Sequence, residues 1–541
     1  MKLLKCIFCL YLAGTCTGFA QSAAGKIPRL QKQGTATQLI VDGKPFLVLG
    51  GELRNSSASS LSYMEPVWAQ LTAQNLNTVL TPVSWELIEP QEGRFDFDLV
   101  DGLIAGAQRH KLKLVLLWFG SWKNTYSSYV PEWVKRDTKR FPRVLLKDGR
   151  PTERLTPLSP SNRRADTKAF AALMKHIGTV DTDRTVLMMQ IENEIGVIPE
   201  SRDFSPAANA AFGSPVPEQL MTYVRTHGDR LEPELHEAWV AAGRKTDGTW
   251  QDVFGTAPVT DDFFMAWHYA AYLDEVVAAG KAAYDLPMFT NAALIRPNYL
   301  PGQYNSGGPL PHSMDIYRAG APHLDFISPD IYFPDFAYWA GRYRREGNPV
   351  FVPETYGGAE GAANAFFAFG QLDAIGFSPF GIDRMPGAPS AGQSPLAAAY
   401  TVLDHLAPAI LQKQGTGRMA GIVLEGSEQR AGRISFGGYD ITVNRAGAPG
   451  ATDANSRIGI LFIQMDGDEF LIAGSGASTL SFAPGAEESR QTAGIASIDE
   501  EVPVDGKWIR QRRLNGDENG QGQVLRMSAG AAVYKVRLYR Y

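Results

Sequence analysis

Cys6, Cys9 and Cys16 are the three cysteines of a 541-residue chain. Beyond position 16 there is no thiol to build a disulfide framework, hold a zinc ion or act as a nucleophile. Histidine is scarce too, with eight residues. No His-Glu-x-x-His, Gly-x-Ser-x-Gly or phosphate-loop pattern occurs, which sets aside zinc peptidase, serine hydrolase and nucleotide chemistry. Neither a metal nor a cofactor is implied. No positive charge surplus exists: 52 Lys and Arg against 57 Asp and Glu give a formal charge of -5, so nucleic acid is not an expected partner. After the N-terminal segment no apolar run approaches the ~18 residues of a membrane span.

That segment reads as a secretory signal. Lys2 and Lys5 precede an apolar stretch from Cys6 to Ala13, and Gly18-Phe-Ala20 supplies small residues before Gln21. Residues 1–20 are therefore expected to be cleaved, with export to the periplasm. Release is favoured over a lipid anchor at Cys16, because Ala13-Gly-Thr15 lacks a leucine three positions before the cysteine. The mature chain would contain no cysteine, and losing Lys2 and Lys5 would take the charge from -5 to -7.

A chain of this length exceeds what one core usually supports, so a large domain and a smaller one are expected. After a polar linker over 21–37, strand-like apolar runs alternate with helical stretches, the pattern of parallel strands with crossover helices. Eight candidate strands stand out: Phe46 to Glu52, Thr78 to Trp85, Lys113 to Phe119, Val186 to Glu194, Pro287 to Asn291, Phe326 to Tyr332, Val350 to Glu354, and Ile375 to Phe380. Eight is the number that closes an α/β (β/α)8 barrel, here expected over 38–417 with an insertion at about 197–261. From about residue 418 to 541, short alternating runs broken by Gly, Asp and Asn predict an antiparallel β-sandwich domain. That domain either binds carbohydrate or serves by packing on the barrel.

Two of these strands end in chemistry. Val186-Leu-Met-Met-Gln-Ile-Glu-Asn-Glu-Ile-Gly196 is an apolar run delivering Glu192, Asn193 and Glu194 at its carboxyl end, and Pro349-Val-Phe-Val-Pro-Glu354 delivers a second glutamate 160 residues later (354 minus 194). The carboxyl ends of barrel strands are where active sites form. A carboxyl pair is what glycoside cleavage uses, one protonated to release the leaving oxygen and one ionised to attack the anomeric carbon. Either glutamate alone would also fit a solvated strand end or a salt bridge.

Trp85-x-x-x-Glu89-Pro90-x-x-Gly93-x-Phe95-x-Phe97 resembles a pattern of clan A barrel glycosidases. Gln190-Ile-Glu-Asn-Glu-Ile-Gly196 resembles the signature of glycoside hydrolase family 35, the β-galactosidases, and Glu354-Thr-Tyr356-Gly-Gly358 resembles that family's nucleophile segment. The resemblance covers about residues 38 to 385. Ile195 stands where the family has Tyr, and Leu53-Arg-Asn55 and Phe119-Gly-Ser-Trp-Lys-Asn124 replace two family motifs, so the chain is similar to a divergent bacterial branch that carries a C-terminal β domain and includes enzymes acting on xyloglucan side chains. The resemblance implies Glu194 as general acid/base and Glu354 as nucleophile of an exo-acting retaining β-galactosidase, with a β-galactoside oligosaccharide as substrate.

Further site candidates each carry two readings. Asn193 either contacts the sugar 2-hydroxyl or is a strand-end turn residue; Tyr332 either donates to the nucleophile or is an ordinary rim tyrosine. Trp85, Trp118 and Trp122 either stack on sugar faces or pack in the core. Glu52 and Asn124 are candidate partners for sugar hydroxyls, and Tyr356 is a candidate rim contact. Rival functions are another clan A activity (endo-glucanase, mannanase or arabinopyranosidase) and a sugar-binding protein without catalysis.

Overall fold

The computed structural model describes residues 27–383, 394–446, 457–486, 490–504 and 507–541; the expected signal peptide and its three cysteines lie outside the described residues. Eight parallel strands form the centre: β1 (Val48–Glu52), β2 (Thr78–Ser84), β3 (Lys113–Lys123), β4 (Val186–Asn193), β5 (Met288–Ala293), β6 (Phe326–Ile331), β7 (Phe351–Val352 and Glu354–Thr355) and β8 (Gly376–Phe377). Each pairs with the next, and β8 returns to β1 through Gly376 opposite Val48, so the ring closes. β7 is split at Pro353, which has no N–H for the ladder. Its first half pairs with β8 and its second with β6, where Glu354 lies opposite Asp330.

Side-chain alternation divides the barrel interior into layers. Val48, Leu80, Val115, Met188, Phe289, Phe326, Phe351 and Ile375 fill the bottom together with Leu39 and Val41. Those two come from an N-terminal strand pair, Arg29–Gln33 and Ala36–Val41, that plugs the barrel floor. The linker expected over 21–37 is thus strand from residue 29 onward: its polar residues face outward while the partner strand delivers the apolar plug. Further up the same inward faces the residues turn polar, at Glu52, Gln190, Asn291 and Asp330, all buried. A helix follows every strand, among them Pro160–Val180 and Pro395–Lys413, each with serine at the N-cap and proline at the first helical position. Four short α-helices and one 3-10 turn between Pro206 and Phe254 occupy the expected insertion before the long helix Pro258–Ala283.

The C-terminal region is an antiparallel sandwich of a six-stranded and a four-stranded sheet. In strand Ile458–Asp466, Ile460 and Phe462 face the sandwich interior while Leu461 and Ile463 join the barrel core. The six-stranded sheet is therefore apolar on both faces, one against its partner sheet and one against the barrel helix Gly358–Gln371. Contact there is close: a Cβ on Gly459 would come within 1.9 Å of the Ala363 carbonyl oxygen. The strands Ala493–Val504, Lys507–Leu514 and Val524–Met527 were not among the sequence expectations. The first two pair through charge rather than apolar alternation, with Arg513 on Asp499 and Arg512 on Glu500. Among the described residues no helix is long and apolar enough to cross a membrane.

Gly459→Ala should lower stability by on the order of 1–3 kcal/mol through overpacking. Gly341→Ala, in helix Phe336–Tyr343 where a Cβ meets nothing within 4 Å, should be neutral or stabilising by up to about 1 kcal/mol. Urea unfolding of both checks this, and equal midpoints would show that the helix–sheet seam yields freely.

Candidate active site

The site is made by a break in the alternation of β4. Glu192 and Glu194 have positive φ, 59° and 47°, as do Asn124 and Thr125 just past β3. Such conformations cost free energy in residues with a Cβ and gather where the surroundings enforce them. Here the enforcing contact is the Glu192 carboxyl, which accepts the backbone N–H groups of Ser121 (2.9 Å) and Trp122 (2.6 Å). Gly120 makes room for it: a Cβ there would lie 2.7 Å from Glu192 Oε1. Burial beside Asp166 raises the Glu192 pKa well above the usual carboxylate range. Glu192 thus clamps β3 to β4, and the bend lets both Asn193 and Glu194 reach the barrel mouth.

Four carboxyl groups meet there, Glu52 from β1, Glu194 after β4, Asp330 from β6 and Glu354 from β7, with the ammonium of Lys123 from β3. One oxygen each of Glu194, Asp330 and Glu354 lie within 4.8 Å of one another. Glu194 accepts from Asn124 Nδ2, while its own N–H donates to Asn291 Oδ1 at 3.0 Å. Burial, then the charge of Glu354, raises its pKa to about 7, with Lys123 acting the other way. Tyr332 donates its hydroxyl to Glu354 Oε1 at 2.7 Å; burial and that carboxylate push the phenol pKa up, so the proton stays on oxygen. Lys123 Nζ donates to Asn193 Oδ1 at 2.9 Å, which turns the Asn193 amide nitrogen toward the mouth.

Several polar atoms in this mouth have no hydrogen-bond partner among the described residues: both Glu52 oxygens, Gln190 Oε1, Asn193 Nδ2, Asp330 Oδ1 and Glu354 Oε2. Buried polar atoms are otherwise nearly always paired. This concentration at the carboxyl ends of the strands marks a polar ligand's seat. Glu52 is fully buried, and desolvation followed by Glu354 raises its pKa well above normal.

Of the sequence candidates, the structure brings together Glu52, Asn193, Glu194, Tyr332 and Glu354. Tyr356 stands at the rim, 49% exposed, edge-on to Tyr332. Three tryptophans are corrected. Trp85, Trp118 and Trp122 are fully buried, with indole N–H groups bound to Glu89, Asp166 and the Leu155 carbonyl. Their faces are taken by packing, Trp122 between Tyr269 and Tyr272, so no sugar can stack on them. Asn124 lies beside the pair and donates from its amide nitrogen to Glu194. Sequence reasoning missed Lys123, Asn291 and Asp330. Asp330 had a usable signal, because Phe326, Ser328 and Asp330 alternate onto the inward face of β6.

A closed (β/α)8 barrel with two carboxyls this close at the ends of strands four and seven has the architecture of barrel glycoside hydrolases. Residues 63–256 match the glycoside hydrolase family 42 model, described as Beta-galactosidase, and residues 396–526 match a domain of unknown function (DUF5597). A β-galactosidase of Xanthomonas manihotis is 40% identical over 70 residues, 13% of this chain and 11% of that protein, so the chain spans about a tenth of the curated relative it matches. Among solved structures, a family 42 β-galactosidase from G. stearothermophilus has a TM-score of 0.49 at 10% identity, covering 94% of this chain and 100% of that one. The β-galactosidase of the psychrophilic Marinomonas ef1 has a TM-score of 0.48 at 14% identity, covering 69% and 62%. The matching family model is thus family 42, where the motifs resembled family 35; the likeness stands at the level the two share, clan A β-galactosidases.

The raised Glu194 pKa gives a pH dependence of stability. Between about pH 4.5 and 7 the folded chain keeps this proton and the unfolded chain has lost it. The unfolded state binds fewer protons, so this group makes stability fall as pH rises through that window. Glu194→Gln removes the term. Its stability relative to the parent should therefore grow from pH 4.5 to 7 and then level, by urea unfolding at four pH values; a constant difference would show Glu194 ionised throughout.

Proposed function

We propose that the protein is an exo-acting retaining β-galactosidase that removes terminal β-galactose from plant cell-wall oligosaccharides, xyloglucan side chains in particular. The observation that carries this is the approach of Glu194 and Glu354, oxygens within 4.8 Å. Retaining pairs stand about 5–5.5 Å apart, whereas inverting pairs leave room for a water at about 6.5–9.5 Å. The environments of the two differ as the roles require: Glu194 is buried with a pKa near 7, and Glu354 is held by the Tyr332 hydroxyl.

In the first step Glu354 attacks the anomeric carbon while Glu194 protonates the departing glycosidic oxygen, so the glycosidic bond breaks and an ester to Glu354 forms. In the second, Glu194 takes a proton from water, the resulting hydroxide adds to the anomeric carbon, and the ester opens with the original configuration restored. Asn193, its amide turned by Lys123, presents Nδ2 to the sugar 2-hydroxyl, a contact that strengthens in the transition state. Glu52 offers two unpartnered oxygens to further hydroxyls. The galactose and xyloglucan assignment is supported by the family 35-like segment Gln190 to Gly196 and by the exposed Tyr356 ring beside the nucleophile, a flat surface for the aglycone.

Incubation of the purified chain with an aryl β-galactoside and with galactosylated xyloglucan oligosaccharides, followed by proton NMR, should show β-galactose as the first product from both. A ladder of oligomers would mean endo action, and no release from a folded chain would overturn the assignment. Glu354→Ala should abolish turnover. Glu194→Ala should lose about 10²–10⁴-fold on oligosaccharides but far less on aryl substrates whose leaving group needs no proton; equal losses on both would remove Glu194 from the acid role.

A further inference from the structure

We propose that Asp330 is a positioning residue for the acid: its carboxyl carries a proton and donates it in a hydrogen bond to Glu194, so that Glu194 can alternate between acid and carboxylate without changing the charge of the mouth. This rests on the glycosidase assignment of the same site.

The hydrogen-bond chain fixes where that proton sits. The backbone N–H of Glu194 is only a donor, so Asn291 must offer it Oδ1, and Asn291 Nδ2 is then committed to Asp330 Oδ2 at 2.6 Å. Asp330 Oδ2 is an acceptor in this arrangement. A proton on Asp330 resides on Oδ1, which accepts no hydrogen bond from the described residues. One oxygen of Asp330 and one of Glu194 lie within 4.8 Å of each other, and a hydrogen bond between two carboxyls requires one proton. Burial, followed by the charges of Glu354, Glu194 and Glu52, raises the Asp330 pKa well above the carboxylate range, with Lys123 opposing. Tyr332 and Tyr343 also face it, and both phenols are held protonated by burial.

The charge count then balances. With Glu52, Glu194 and Asp330 protonated, the Glu354 carboxylate and the Lys123 ammonium sum to zero. After the first chemical step Glu354 is an ester, Glu194 has given up its proton to the leaving oxygen, and the Glu194 carboxylate with Lys123 again sums to zero. The Asp330 proton is never transferred. It stabilises the Glu194 carboxylate as it forms, and it does so without adding a negative charge beside the ester.

The test compares Asp330→Asn, whose amide can still donate to Glu194, with Asp330→Ala, which cannot. The readout is the pH profile of kcat/KM on an aryl β-galactoside with a poor leaving group. Losing a hydrogen bond to a charged group should move the basic limb of Asp330→Ala up by about one pH unit. Asp330→Asn should keep the limb near that of the parent and recover most of the activity lost by the alanine variant. If Asp330 were an ionised neighbour, both variants would move the limb down, and that outcome overturns the proposal, as does an asparagine variant that behaves like alanine.

A second measurement does not need turnover or a folded variant. Infrared spectra of the parent chain carrying ¹³C in its aspartate carboxyls should show a protonated aspartic acid band at pH 7.5. Absence of that band overturns the proposal even in an active enzyme; its presence in a chain without glycosidase activity would sink the function and leave the proton assignment standing.

Discussion

Four carboxyl groups enclosed around one ammonium set the terms for this barrel. Glu52, Glu194, Asp330 and Glu354 are all buried, and Lys123 is buried with them. If all four carboxyls were ionised, the group would carry a net charge of -3 in a setting that solvates charge poorly, at a cost no packing could offset. Protons must therefore be held on most of them, and burial raises the pKa values of Glu52, Glu194 and Asp330. The proposed division between a proton donor and an attacking carboxylate follows from how the surroundings distribute those protons.

Holding such a cluster requires backbone that is stiff and locally unfavourable. The left-handed residues Asn124, Thr125, Glu192 and Glu194 lie within two neighbouring strand ends, and the Glu192 clamp on Ser121 and Trp122 keeps them there. The first glutamate of the Gln-x-Glu-Asn-Glu stretch is therefore a structural part, and the second, two residues on, is the proposed acid. The Trp85 to Phe97 stretch is structural in the same sense. Glu89 accepts from the Trp85 indole and from the Gly93 N–H, closing the turn after β2.

Much of this was legible in the chain. Parallel barrel strands are covered on both faces, so all eight appear as apolar runs, and the two that end in glutamate announce the mouth. What escaped did so for identifiable reasons. Trp118 follows Leu114 and Leu116 on the outward face of β3 while Val115, Leu117 and Phe119 point inward; position at a strand end suggested a sugar platform, and parity excluded it. Lys123 lies on the stretch of β3 beyond Phe119, which continues as strand because of a side chain 69 residues later (192 minus 123), a contact that no local pattern encodes. The strands Ala493–Val504 and Lys507–Leu514 pair through Arg and Asp or Glu, so the apolar alternation that betrays a strand was absent.

The sandwich domain acquires a role through one buried cation. Arg457 stands at the start of strand Ile458–Asp466 and is 6% exposed. Its guanidinium reaches the Pro334 carbonyl at 2.7 Å, Asn364 Oδ1 at 3.1 Å and the carboxylates of Glu360 and Glu425 at 2.9 and 3.4 Å. Glu425 in turn accepts the N–H of Ala337. Pro334 and Ala337 lie just past Tyr332, while Glu360 and Asn364 lie just past Glu354 and Tyr356. A planar group with five donors, unable to lose its charge, is suited to fixing two segments at once. The sandwich thereby braces the loops after β6 and β7, next to the tyrosine and the carboxylate whose 2.7 Å contact fixes one half of the proposed reacting pair.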